Sequence, residues 1–149
     1  MNSITALFDE IDLSKLVPEL DTLLGKLQLI AGIALMVGPI LMLAFGLWYF
    51  FLPPKEANHR AGFRTWFGMG SVEAWQFTQR FAGIVWGGLG LILTVVMGIV
   101  YLSFGNKEIM QIATTSFTCL LWQVGLALIS YIVIGVVVML RYDSKGYKR

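Results

Sequence analysis

The stretch LQLIAGIALMVGPILMLAFGLWYFFL, from Leu27 to Leu52, contains no charged residue. A helix needs about 20 apolar residues to cross the ~30 Å hydrocarbon core of a bilayer, so this run can span it with turns to spare. In lipid each backbone amide must find its partner within its own helix or within a closed barrel. A run this long and this uniform fits a helix rather than an alternating barrel strand of about ten residues. Two further stretches repeat the pattern. Phe81 to Phe104 is uncharged, and so is Phe117 to Leu140, inside a longer uncharged stretch that begins at Ile109. The expected fold is an all-α membrane protein with three transmembrane helices, at 27–52, 81–104 and 117–140.

Composition agrees. Of 149 residues, 57% are hydrophobic and 13% charged, against roughly 25% charged in soluble domains. The mean hydropathy is +0.74. A soluble three-helix bundle is excluded because too few polar residues remain to cover its outside. One cysteine, Cys119, rules out a disulfide within the chain. One His and one Cys cannot build a structural zinc site, which takes about four ligands. A net charge of +2 gives no footprint for nucleic acid. No metal or cofactor is expected.

The flanks of the spans are polar or amphipathic. In residues 1–26, Leu13, Leu16, Val17, Leu20, Leu23 and Leu24 recur at helical spacing, and Leu27 continues the series. Asp12, Lys15, Glu19, Asp21 and Lys26 take the other side. Ile4, Leu7, Phe8 and Ile11 show the same pattern upstream. This predicts an amphipathic N-terminal helix, interfacial or docked on protein. Its acidic face suits protein contact at least as well as a lipid surface. No basic, cleavable leader precedes it. The second span carries Gly83, Gly87, Gly90, Thr94 and Gly98. The Gly83–Gly87 pair permits close helix approach, first within one subunit and secondarily in a homo-oligomer. Pro39 removes one backbone hydrogen bond from the first span. Gln123 and Ser130 are candidates for bonds between helices.

Charge placement predicts the topology. Three spans put the first loop and the C-terminus on one side. Lys55, Arg60, Arg64 and Arg80 lie in that loop and its flank, and Arg141, Lys145, Lys148 and Arg149 in the basic tail 141–149. The opposite side carries Lys15, Lys26 and Lys107. The positive-inside rule places loop and tail in the cytoplasm and the N-terminus outside.

The loop, Pro53 to Gly83, carries the chemistry. Pro53–Pro54 end the first helix. Ser71 and Glu73 mark a helix start, the acid favouring the positive end of the dipole. A helix from Ser71 puts Trp75, Thr78 and Ala82 on one face. Run to Phe104, it would be about 50 Å long, so its first turns must protrude, tilt, or bend near Gly83. Arg64 is a fixed donor fork for a carboxylate, phosphate or backbone carbonyls. Asn58 and Thr65 can shape the turn through backbone hydrogen bonds. His59, the one histidine, has no acid or nucleophile beside it in sequence.

The spacing of these residues resembles the signature of the SdpI family of small bacterial membrane proteins. Asn58, Gly62, Arg64, Thr65 and Trp75 fall at the family spacings, Ser71 matches a frequent serine, and Thr78, Arg80 and Gly83 match the continuation. Many members have proline where this chain has Trp66. The resemblance covers about residues 29–140. It implies resistance to a secreted, membrane-active peptide toxin by binding or blocking it, with some members relaying toxin presence to a cytoplasmic regulator. It implies no enzyme. The signature-loop residues are then Asn58, Gly62, Arg64, Thr65, Ser71, Trp75, Thr78 and Arg80, with Gly83, Gly87, Gly90 and Gly98 packing helices. Expected partners are membrane lipids, a peptide toxin, and a membrane-complex subunit or cytoplasmic regulator. An accessory or sensor subunit of a larger complex is the rival reading. A lipid-modifying enzyme using Asn58, His59 and Arg64 is a lesser one. The spans hold no charged residue, which argues against an ion-coupled transporter acting alone.

Overall fold

A computed structural model describes residues 13–57 and 61–149. Three helices dominate: α1 (Leu13–Phe51), α2 (Val72–Leu102) and α3 (Ile109–Arg141). Within them Leu20–Phe51, Val72–Gly105 and Ile109–Arg141 are long and apolar enough to cross a membrane. Among the described residues there is no sheet, only an isolated bridge between Tyr142 and Lys148 in the tail.

Each end has a local cause. The chain leaves α1 at Pro53–Pro54, which cannot continue it. Ser71 is extended (φ −151°, ψ 162°) and its Oγ accepts the Ala74 N–H at 3.1 Å, capping α2. Glu73 sits in the first turn. A 3-10 turn, Ser103–Asn106, joins α2 to α3. Arg141 in the last turn of α3 complements its negative end.

Residues 13–26 form the first turns of α1, continuous with the span. They are not a separate helix as the amphipathic pattern suggested, and residues 1–12 of that segment lie outside the described residues. Pro18 lies inside α1, past its first turn, and its carbonyl accepts the Thr22 hydroxyl at 2.8 Å. With 39 residues, α1 is about 58 Å long, well beyond the ~30 Å core.

α1 and α2 are the most closely packed pair. Glycines make this possible. A side chain at Gly83 would meet the backbone of Phe50 at 2.7 Å, and one at Gly90 the backbone of Leu43 at 2.5 Å. Gly46 faces Gly87 so closely that any Cβ on it would collide with the Gly87 backbone. Gly98 lies looser, with only the Met36 methyl at 3.4 Å from where a Cβ would stand. The Gly83–Gly87 face is thus occupied by α1 of the same chain.

α3 is fastened to this pair at its two ends. At the loop end Tyr49, Phe63, Ala74, Ala82, Ile134, Val138 and Tyr142 form one buried cluster. At the other end Leu35, Met97, Phe104 and Ile112 form a second, with half-buried Cys119 packed on it. Two polar contacts lie between. Trp86 Nε1 donates to Ser130 Oγ at 3.2 Å. Gln123 Nε2 donates to the carbonyl of Leu35 at 3.1 Å. Leu35 precedes Pro39 by four residues, so its carbonyl has lost its helical donor. A glutamine on the neighbouring helix supplies the missing N–H.

Candidate functional site

The loop between α1 and α2 folds back into the end of the bundle. Its entry is fixed by Trp75. The indole is fully buried and its Nε1 donates to the carbonyl of Pro54 at 2.8 Å. The chain next turns at Gly62, with φ +113°. That conformation favours glycine, and the Trp75 ring would lie only 2.6 Å from any Cβ there. Gly62 and Trp75 are therefore one fitted pair.

Past this turn Phe63 enters the bundle and is buried. Its ring lies 5.1 Å from Tyr131, 5.3 Å from Trp86 and 6.4 Å from Tyr49, so all three helices touch it. Such aromatic pairs add about 0.5–1.5 kcal/mol each beyond area burial. The backbone that carries Phe63 into this apolar setting needs partners. Gln79 provides both: its Oε1 accepts the Phe63 N–H at 2.7 Å, and its Nε2 donates to the Phe63 carbonyl at 2.7 Å. Gln79 is fully buried. The Tyr131 hydroxyl then donates to the carbonyl of Arg64 at 3.2 Å.

Thr65 shapes the next turn. Its Oγ1 accepts the Gly68 N–H at 3.0 Å, and its carbonyl accepts the Met69 N–H at 3.2 Å, starting the short 3-10 turn Phe67–Met69. Gly68 presses against the hydroxyls of Thr65 and Thr78, leaving no room for a side chain. Thr78 is fully buried and donates to the carbonyl of Ala74 at 2.7 Å. Trp66, where proline is frequent, is 82% exposed. It takes no part in the turn's packing.

The C-terminal tail closes the other side. Asp143 Oδ1 accepts the N–H groups of Lys145 and Tyr147 at 2.9 and 2.8 Å, and Gly146 turns with φ +80°. The Gly146 carbonyl accepts the Ser71 hydroxyl at 2.7 Å. Ser71 thus caps α2 and ties down the tail together. Tyr142 is buried against Phe77, and the Arg141 guanidinium lies 4.3 Å from the Phe77 ring centre, within cation–π range.

Of the predicted signature residues, Gly62, Thr65, Ser71, Trp75 and Thr78 assemble into this plug. The side chains of Arg64 and Arg80 are exposed. Arg80 lines a groove of about 290 Å³ with Glu73, Phe77, Phe81 and Tyr142. Asn58, like His59 and Arg60, lies outside the described residues. Among the described residues no three His, Cys, Asp or Glu side chains gather. The loop covers the buried face of the first turns of α2, Ala74, Trp75 and Thr78.

Gln79 and Phe63 are additions to the predicted set. Gln79 follows Trp75 by four residues and shares the face of Trp75, Thr78 and Ala82, so its inward direction was visible. Its partner is backbone, which any residue supplies, so no sequence signal names Phe63.

A family model described as the SdpI/YfhL protein family matches residues 55–141. No curated protein and no solved structure matches. The matched span takes in the plug, α2 and α3, and leaves α1 outside. That is narrower than the resemblance over residues 29–140.

Proposed function

This chain belongs to the SdpI/YfhL family, and we propose that it protects a bacterial cell by holding a membrane-active peptide toxin within the bilayer. The observation that carries this reading is where the family match falls. It covers the loop that plugs the bundle together with α2 and α3, two of the three helices that touch it. A loop hydrogen-bonded onto long apolar helices suits holding a ligand in the membrane better than turning one over.

In this proposal the loop and tail face the cytoplasm, where eight basic residues stand against three on the other side. The N-terminal residues Asp9, Glu10 and Asp12 face outward, where a cationic peptide would arrive and be attracted. Arg64 and Arg80, exposed at the loop end, offer a basic surface to a cytoplasmic regulator or to anionic headgroups. Expression in a peptide-sensitive bacterium tests the role. The killing curve should shift to higher peptide concentration. Unchanged killing by every membrane peptide from the gene's own neighbourhood, with the protein present in the membrane, would remove the proposal. Single cysteines at Ser3 and Ser144 test the orientation. An impermeant thiol reagent should label the first and not the second in intact cells.

One observation favours a second reading. Leu20, Leu23 and Leu27 on the first turns of α1 are 48%, 55% and 44% exposed, on a helix longer than the core. They suit docking to another subunit of a membrane complex. A stoichiometric partner retained in mild detergent, without any toxin, would support that reading instead.

A further inference from the structure

Between the two clusters that fasten α3, the helices part. A crevice of about 400 Å³ lies there, walled by Ala34, Gly38 and Pro39 of α1 and by Gln123 and Ala127 of α3. It opens sideways into the membrane, for Leu41 and Val124 on its rim are 50% and 59% exposed. Gly38 and Pro39 lie near the middle of the first span and Gln123 near the middle of the third.

Gln123 is 8% exposed and half used. Its Nε2 is committed to the Leu35 carbonyl. That acceptor fixes which way the amide points, so Oε1 is turned toward Gly38, 2.8 Å from where a Cβ would be. Gln123 lines the crevice, and among the described residues no hydrogen bond to its Oε1 is found. An acceptor facing hydrocarbon without a donor is costly.

We infer that this crevice is the peptide-docking groove. It receives one face of an apolar helix and gives Gln123 Oε1 to a hydroxyl or amide donor on that helix. The inference rests on the peptide-holding role proposed above and locates it. Phospholipid chains carry no hydrogen-bond donor at this depth, so a polypeptide side chain such as serine is the occupant that satisfies Oε1. The volume suits a few side chains rather than a whole helix. That is the geometry of a helix laid along a groove.

The test uses the full chain in phosphatidylcholine vesicles and two synthetic helical peptides of about 20 apolar residues, with central Ser or central Ala. Vesicles hold no cell to protect, so binding is read apart from protection. Energy transfer from tail-labelled protein should show the Ser peptide binding about three-fold or more tightly, the scale of one hydrogen bond between membrane helices. Ala127→Leu fills the groove without touching the Leu35 bond and should abolish that preference. Gln123→Leu should do the same if it remains folded. Equal binding of the two peptides, or a preference that survives Ala127→Leu, overturns the inference. So does self-association of the wild type that Ala127→Leu dissolves, since the groove would then belong to a second copy. Binding without cellular protection leaves the groove and removes the toxin role. Protection that survives Ala127→Leu leaves the role and removes the groove.

Discussion

Replacing Gln123 by leucine should destabilise the bundle, and replacing Pro39 by alanine should abolish most of that cost. Leucine keeps nearly the volume of glutamine, so little cavity forms. What is lost is the 3.1 Å bond from Nε2 to the Leu35 carbonyl. With Pro39 in place that carbonyl has no helical donor. A buried acceptor left unpaired costs about 1–3 kcal/mol. Couplings measured between membrane helices run lower, at about 0.6 on average and about 1.7 at most. The Leu35 carbonyl has no alternative partner, which places it above that average, at about 1 kcal/mol or a factor of about five in the folding equilibrium. In Pro39→Ala the N–H of residue 39 returns to Leu35, and the glutamine becomes dispensable. The assay is a double-mutant cycle by detergent unfolding in mixed micelles, read by circular dichroism. If Gln123→Leu costs as much in the Pro39→Ala background as in the wild type, the proline and the glutamine are not one device.

Three other outcomes follow from the packing. Gln79→Leu orphans both backbone groups of Phe63 and should cost about 2–6 kcal/mol if the loop stayed closed. The loop will open instead, and trypsin should cut at Arg64 many times faster while the helical signal is retained. Gly90→Leu pushes a side chain into the backbone of Leu43 and should lower stability in detergent by about 1–3 kcal/mol. Gly88→Ala, which meets nothing within 4 Å, should be neutral in the same melt. Ser71→Ala loses the cap of α2 and its bond to Gly146. It should cost about 1 kcal/mol and expose Lys145 to trypsin.

The three spans were legible because a membrane helix is declared by what it lacks, and charges are easily counted. The glycine face of α2 was legible too, since close approach demands small residues at helical spacing. The join at the N-terminus was not. Between Pro18 and Gly38 only Gly25 and Gly32 interrupt the run of helix-compatible residues, so sequence could not separate a surface helix from an extension of the span. The plug was half legible. Gly62, Thr65, Ser71 and Trp75 announced turns, a cap and an anchor, each a local matter. The Gln79–Phe63 clasp joins a side chain to backbone 16 residues away, and backbone leaves no mark in a sequence. The Gln123–Leu35 bond left two separate marks, a mid-span proline and a mid-span glutamine, but nothing in the sequence linked them.

The proposed scaffold stands on the family's loop being a closed, hydrogen-bonded plug. Hydrogen exchange at two protons, the Phe63 amide and the Trp75 indole, reads that state directly. Both should be protected to the level of the α2 amides near Thr78, since both are bonded at 2.7 and 2.8 Å to partners inside the plug. Exchange of either at the rate of an open surface loop, with α2 still protected, would contradict the account.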